Sequence, residues 1–239
     1  MDRQTWLAEQ RLRAEQRYDR LYSPTYDEND GPMSPTHRRF VERLIASTPP
    51  GGAILDAPCG TGRYFPMMLD AGRSIVGVDQ SGGMLAQARA KHPGVVVERR
   101  GLQELAFDGE FDAAMSVDGM EYVFPEDWPL VLANLRRAVR PGGQVYLTIE
   151  RIDPAEIATV YEEAKADGLP VVHGENIRRG GGYHYYPTPD RVSGWLAEAG
   201  LQVIDEGISH GTNYAYHHVL ASTRPARRGA RCHEPGTPR

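Results

Sequence analysis

The segment Ile54-Leu-Asp-Ala-Pro-Cys-Gly-Thr-Gly-Arg63 constrains this chain more than any other. An apolar run ends in Asp56, a turn follows with glycines at Gly60 and Gly62, and then comes a stretch compatible with a helix. Glycine tolerates left-handed backbone and carries no Cβ, so a ligand can approach the chain closely there. A second apolar run, Val76-Gly-Val-Asp79, ends in an acid seventeen residues past Gly62. Strand, glycine turn, helix, strand and terminal acid is the order of a nucleoside-binding βαβ unit, with the acid accepting from ribose hydroxyls.

The sequence around that unit has the same rhythm. Strands are expected at 53–57, 74–78, 95–98, 111–117 and 144–150, and helices at 64–71, 82–91 and 128–139. Val131, Leu132, Leu135 and Val139 recur at helical spacing. Alternation of this kind predicts an α/β fold: a mostly parallel sheet with helices on both faces. Before it, residues 2–22 form one expected helix with a sparse apolar stripe, and Ser34–Ser47 a second with Pro35 in its first turn. Pro141-Gly-Gly143 reads as a turn before the fifth strand. After that strand come an expected helix over 153–167 and an irregular, aromatic stretch over 168–187. A helix over 188–199 follows, capped by Thr188 and stopped by Gly200. Residues 201–206 and 215–222 read as an antiparallel hairpin at one edge of a seven-stranded sheet. The tail from Arg224 holds five Arg and three Pro with almost nothing apolar, so disorder or a non-native end is expected there.

Bulk properties narrow the function classes. A formal charge of −5 argues against the broad basic surface of a nucleic-acid binder. No apolar run is long enough to span a bilayer, and the first residues lack signal-peptide order, so a cytoplasmic protein is expected. Cys59 and Cys232 sit in dissimilar contexts, which makes a structural disulfide improbable. The histidines have no recognised metal-ligand spacing, and no metal is expected.

The glycine turn alone does not name its ligand, because dinucleotide sites share it. Here the third small position of the dinucleotide pattern is Phe65, a bulky residue where close helix–strand packing is needed beside a pyrophosphate. Asp56 stands directly before the turn; a carboxylate there repels phosphate and suits an ammonium group. A ligand with an ammonium, a ribose and no phosphate, such as S-adenosylmethionine, fits these residues. The chain resembles the class I S-adenosylmethionine-dependent methyltransferases over roughly residues 38 to 222. The resemblance rests on the first motif, on Asp79-Gln80, on Gly101–Phe107, on Phe111-Asp112 through Asp118-Gly-Met-Glu121-Tyr122-Val123, and on Arg140-Pro-Gly-Gly143. Tyr122 stands where the family frequently has His.

The resemblance implies a Rossmann-like fold and methyl transfer to a small-molecule acceptor on an O-, N- or C-nucleophile, leaving S-adenosylhomocysteine. A non-catalytic cofactor-binding or assembly protein is the alternative. It assigns the cofactor to Asp56, Ala57, Cys59, Gly60, Gly62, Arg63, Asp79, Gln80, Met84, Leu102, Gln103, Val117, Asp118 and Tyr122. It also implies a helical lid over residues 1–50, a cofactor-binding domain over 51–223, and within that domain a cap insertion over about 151–187. Candidate acceptor contacts are Tyr18, Tyr22, Tyr26, Glu121, His173, Tyr183, Tyr185 and Tyr186. His184, flanked by tyrosines in the expected cap, is the candidate general base, since an ordinary imidazole exchanges protons near neutral pH. The expected partner is a small molecule, with no nucleic acid or membrane, and the chain is expected to be a monomer or homodimer.

Overall fold

The computed structural model describes residues 1–29, 31, 33–177, 182–211 and 214–223. The chain begins with α1 (Arg3–Arg17), whose N-terminus is capped by the Asp2 carboxylate accepting from the Thr5 N–H. Tyr18–Tyr22 then forms a wider π turn and Ser23–Thr25 a tighter 3-10 turn, before the short α2 (Tyr26–Asn29). The single helix expected over 2–22 is therefore regular only to Arg17. In α3 (Pro35–Ser47), Ser34 caps the first turn and Phe40, Val41, Leu44 and Ile45 form the buried face, as their spacing requires.

The alternating part runs β1 (Ala53–Asp56), α4 (Phe65–Asp70), β2 (Ser74–Asp79), α5 (Gly82–Lys91), β3 (Val96–Arg99), β4 (Phe111–Ser116), α6 (Trp128–Ala138) and β5 (Val139–Arg151). It is followed by α7 (Pro154–Ala166), a two-stranded ribbon of β6 (Glu175–Asn176) and β7 (His184–Tyr185), α8 (Pro189–Glu198), β8 (Leu201–His210) and β9 (Ala215–Thr223). The seven-stranded sheet has the order β3-β2-β1-β4-β5-β9-β8. β9 is antiparallel to both neighbours, so the expected C-terminal hairpin forms with β8 on the sheet edge.

Strand periodicity divides the core between the two faces. Ile54, Ala113, Met115 and Tyr146 pack with α3, α4 and α5 through Phe40, Phe65 and Leu85. Leu55, Ala114, Val145 and Leu147 point the other way, toward α6 and α8 through Trp128, Leu132 and Leu196. A sheet covered on both faces needs this run of apolar residues without a polar side, which is how its central strands read in sequence.

The structure modifies the sequence reading in places. Residues 140–143 are not a separate turn: β5 already pairs at Val139, opposite Phe111, and resumes opposite Ala113 at Gln144, with the intervening residues bulged out. Gly142 has φ +89° and a Cβ on Gly143 would lie 2.3 Å from the Asp112 carbonyl, so only glycines let the bulge pass so close to β4. The stretch 168–187 contains the β6–β7 ribbon, while positions 178–181, part of the loop at 212–213, and the tail 224–239 lie outside the described residues. Among the described residues no helix is long and apolar enough to cross a membrane.

Phe65, the bulky residue after the glycine turn, is fully buried. The space comes from glycines on both sides: a Cβ at Gly62 would lie 2.7 Å from the Phe65 ring, and one at Gly77 in β2 would also lie 2.7 Å from it. Gly77→Ala is therefore expected to destabilise the protein by about 1–3 kcal/mol, the usual range for overpacking. Urea unfolding of Gly77→Ala, Phe65→Leu and the double variant checks this; the double variant should be more stable than the sum of the two single changes.

Candidate functional site

The carboxyl ends of β1, β2 and β4 bring Asp56, Asp79 and the segment from Val117 to Tyr122 to one edge of the sheet, where the strand order reverses and α/β sheets bind ligands. A cleft of about 1180 Å³, open to solvent, lies there. Its floor is Cys59, Gly60 and Thr61 of the turn, Asp79–Ser81, Leu102, Gln103 and Val117–Gly119. Gln10, Arg11 and Ala14 of α1, with Tyr18 and Tyr26, close it from above, and Tyr122, Phe124 and Tyr183 form a side wall.

Asp79 is 7% exposed and anchored by backbone: Oδ2 accepts from Gly60 N at 2.9 Å and Oδ1 from Ser81 N at 2.8 Å. Each oxygen keeps lone-pair capacity for further donors such as a vicinal diol. Burial pushes its pKa up to about 6, against the lowering effect of the Ser81 and Gly60 N–H groups. Asp56 differs sharply. It is fully buried, and neither carboxylate oxygen has a hydrogen-bond partner. Burial, then the charge of Asp79, raises its pKa well above 3.8. A buried carboxylate with nothing to bind suits a ligand that brings its own cation.

The segment before β1 is clamped onto this site. Asp19 accepts from Ser81 Oγ at 2.6 Å and from Gly83 N at 3.0 Å, at the start of α5. Thr61 Oγ1 donates to Asp27 at 2.6 Å, and Lys91 pairs with the same carboxylate. Arg11 pairs with Asp127 at 2.7 Å, and Glu15 with Arg99. Arg3 bridges Glu126 and the buried Glu175 of β6, which also accepts from Tyr183 OH at 2.7 Å. Tyr18 OH donates to Tyr122 OH at 2.7 Å across the cleft.

Of the residues expected at the cofactor, Cys59, Gly60, Arg63, Asp79, Gln80, Met84, Leu102, Gln103, Val117, Asp118 and Tyr122 line the cleft. Asp56 and Ala57 lie buried at the end of β1, and Gly62 shapes the turn from behind, its N–H donating to the Cys59 carbonyl. Burial pushes the Cys59 thiol far up, which disfavours its thiolate. Of the expected acceptor contacts, Tyr18, Tyr26 and Tyr183 line the cleft. Tyr22 packs edge-on behind Tyr18, Tyr185 meets Trp128 and Arg191, Tyr186 stacks on His184, and Glu121 is buried with Oε2 unpartnered. His173 is exposed against Tyr161, away from the cleft.

His184 is not on the cleft wall. Its ring sits behind Tyr122 at 5.0 Å and Nδ1 donates to the Gly182 carbonyl at 3.0 Å, because the β6–β7 ribbon turns it inward to support the tyrosine. Sequence reasoning expected a lid over residues 1–50 but singled out neither Gln10, Arg11 and Ala14 of α1 nor Tyr64, Arg100 and Phe124, which no local pattern marks. Among the described residues no group of three or more His, Cys, Asp or Glu could hold a metal ion.

A methyltransferase-domain family model matches residues 54–143. A ubiquinone biosynthesis O-methyltransferase from Xanthomonas axonopodis pv. citri is 30% identical over 191 residues, covering 74% of this chain and 75% of that protein. A demethylmenaquinone methyltransferase from Renibacterium salmoninarum is 27% identical over 211 residues, covering 83% of this chain and 88% of the other. Magnesium protoporphyrin IX methyltransferase from Synechocystis with bound SAH shares the fold at TM-score 0.65 and 13% identity, over 90% of this chain and 99% of that one. The chain belongs to the class I S-adenosylmethionine-dependent methyltransferases. It is an enzyme that moves a methyl group from that cofactor to a small-molecule acceptor.

The unpartnered Asp56 yields a stability test on the ligand-free protein. Its folded pKa lies above the ordinary 3.8, so its contribution is fully present below that value and is lost as pH rises. Asp56→Asn removes the buried charge. The variant is expected to melt progressively higher than wild type as pH rises above about 4, with thermal unfolding between pH 4 and 8 as the check.

Proposed function

We propose that the acceptor is a hydroxylated aromatic ring methylated on oxygen, and that the two unlike carboxylates of the floor divide the binding of the methyl donor. Asp79 accepts from the ribose hydroxyls. Asp56, directly or through water, meets the ammonium of the methionine part. The observation that carries this assignment is the fully buried Asp56 carboxylate with both oxygens unpartnered beneath the glycine turn. Leu102 and Gln103 flank the adenine, and Met84 packs against it.

S-adenosylmethionine, when bound, supplies a methyl group on a sulfonium that needs no acid to leave. The residues of the chain then have to align the acceptor and keep water out. Residues 1–50 act as the lid over the cleft, residues 151–187 as the cap and 51–223 as the catalytic domain, in a monomer or homodimer in the cytoplasm. Support for the lid comes from α1 and Tyr18 roofing the cleft through ion pairs at Arg3, Arg11 and Glu15. The aromatic walls, Tyr18, Tyr122, Phe124 and Tyr183, suit a flat ring. Relatives named as ubiquinone biosynthesis O-methyltransferases support an oxygen acceptor. The acidic net charge supports a small acceptor over a nucleic acid.

Release of S-adenosylhomocysteine from matched panels of phenols and anilines tests the oxygen acceptor: phenols should be turned over and the corresponding anilines not. Calorimetry tests the donor assignment. Asp79→Ala should bind S-adenosylhomocysteine and methylthioadenosine about tenfold or more weaker, since it loses a charged hydrogen bond to a group both ligands have. Asp56→Asn should weaken only S-adenosylhomocysteine, because methylthioadenosine has no ammonium; an equal loss for both ligands removes the ammonium assignment.

A further inference from the structure

One polar residue interrupts the inner face of α1. Trp6, Gln10, Ala14 and Tyr18 recur at every fourth position and share one side of the helix. Trp6 is buried against Tyr183 at 6.0 Å, and the other three line the cleft. Gln10 is 7% exposed. Its amide has no hydrogen-bond partner among the described residues, and neither of its polar atoms is shut away from the cleft surface. A primary amide buried to this extent without a partner is costly unless the cleft supplies one.

The neighbours of Gln10 fix which part of the cleft its turn of helix covers. Arg11 pairs with Asp127 at 2.7 Å and lies over the Phe124 ring at 4.9 Å. The same arginine reaches a side groove shared with Gln80, Gly101 and Gln103. One turn on, Glu15 pairs with Arg99 at the end of β3. This stretch of α1 therefore lies over the segment of Leu102 and Gln103, with Tyr18 and the Asp118 corner further along the roof.

The floor at this end has its own acceptors engaged. The carbonyls of Leu102 and Gln103 accept from Asn134 Nδ2 at 3.2 and 3.1 Å, and Glu104 Oε2 accepts from Gly101 N at 2.9 Å. Asp127 holds Arg11. The Gln103 amide folds back over Gly101, where a Cβ would lie 2.5 Å from its Nε2. An amine entering here finds its open acceptor in the roof, at Gln10 Oε1.

We propose that the Gln10 amide reads the edge of the donor's adenine from the lid: Oε1 accepts from the exocyclic amine and Nε2–H donates to the ring nitrogen N7 beside it. A side-chain amide sets an acceptor and a donor side by side, which is the complement of that edge. This rests on the reading above that Leu102 and Gln103 flank the adenine. It makes α1 part of the donor site, so that binding of the donor and docking of α1 favour each other. An acceptor with an amine beside a ring nitrogen matches the same amide, and the experiment separates the two sources.

Calorimetry on the full chain compares S-adenosylhomocysteine with its deamino analogue, which carries hydrogen in place of the exocyclic amine. Wild type should bind the amine-bearing ligand about tenfold or more tighter, since the analogue leaves the buried amide oxygen unpaired. Gln10→Met, similar in length and in helix propensity, should lose most of that preference by weakening S-adenosylhomocysteine while the analogue binds nearly as before. An unchanged ratio, or an equal loss for both ligands, overturns the proposal. So does a raised KM for the acceptor with an unchanged KM for S-adenosylmethionine, which gives the amide to the acceptor. If Gln10→Met fails to fold, Gln10→Leu takes its place under the same criteria, and equal affinity of wild type for the two ligands overturns the proposal without any variant. Leu102→Ala checks the adenine placement separately: it should weaken both ligands alike, through lost contact with the ring face. Unaltered binding of both by Leu102→Ala overturns that placement and this proposal together.

Discussion

The site is organised around a buried carboxyl group for which the fold supplies no hydrogen-bond partner. Asp56 ends β1 in the middle of the sheet, fully buried, with neither oxygen hydrogen-bonded. Asp79, one strand away, is also buried but receives two backbone N–H groups from the glycine turn and the start of α5. Burying an unpaired carboxylate is among the most expensive things a fold can do. An isolated, ligand-free core gains nothing from it. The neighbouring acid, anchored by backbone, is held rigidly by comparison. Two residues of the same type thus have opposite environments within one edge of one sheet.

The rest of the molecule shapes that edge. Gly62 and Gly77 make room for Phe65, which seals the helix side of the turn where a smaller residue is usual for dinucleotide sites. From above, α1 and the tyrosine turn after it are tied down by carboxylates and arginines, at Asp19, Asp27, Arg3 and Arg11. Several of these contacts are partly exposed, and surface ion pairs contribute little individually.

Much of the donor half was legible in sequence because it is local. The turn, the acid at the end of β2 and the alternation of strands and helices are patterns over a few residues, and backbone geometry reads them directly. The acceptor half was legible only in part. Tyr18 and Tyr183 reach the cleft as expected, but His184, chosen for its neighbours in sequence, is turned behind Tyr122 by the β6–β7 ribbon. The left-handed backbone of Asp118, φ +51°, is likewise marked by no local pattern.

The sequence by itself determined the fold class, the position of the glycine turn and the nature of the cofactor, since each depends on the order of neighbouring residues and on charge chemistry at one turn. Only the tertiary structure decided which residues of the expected lid roof the cleft, which tyrosines face it and that His184 packs against Tyr122. Those contacts join residues far apart in the chain, such as Tyr18 and Tyr122 across 104 positions, and their partners are set by how α1, α3 and the ribbon pack on the finished sheet. Periodicity along a chain reports which face of an element is buried. It carries no information about which distant side chain is waiting there.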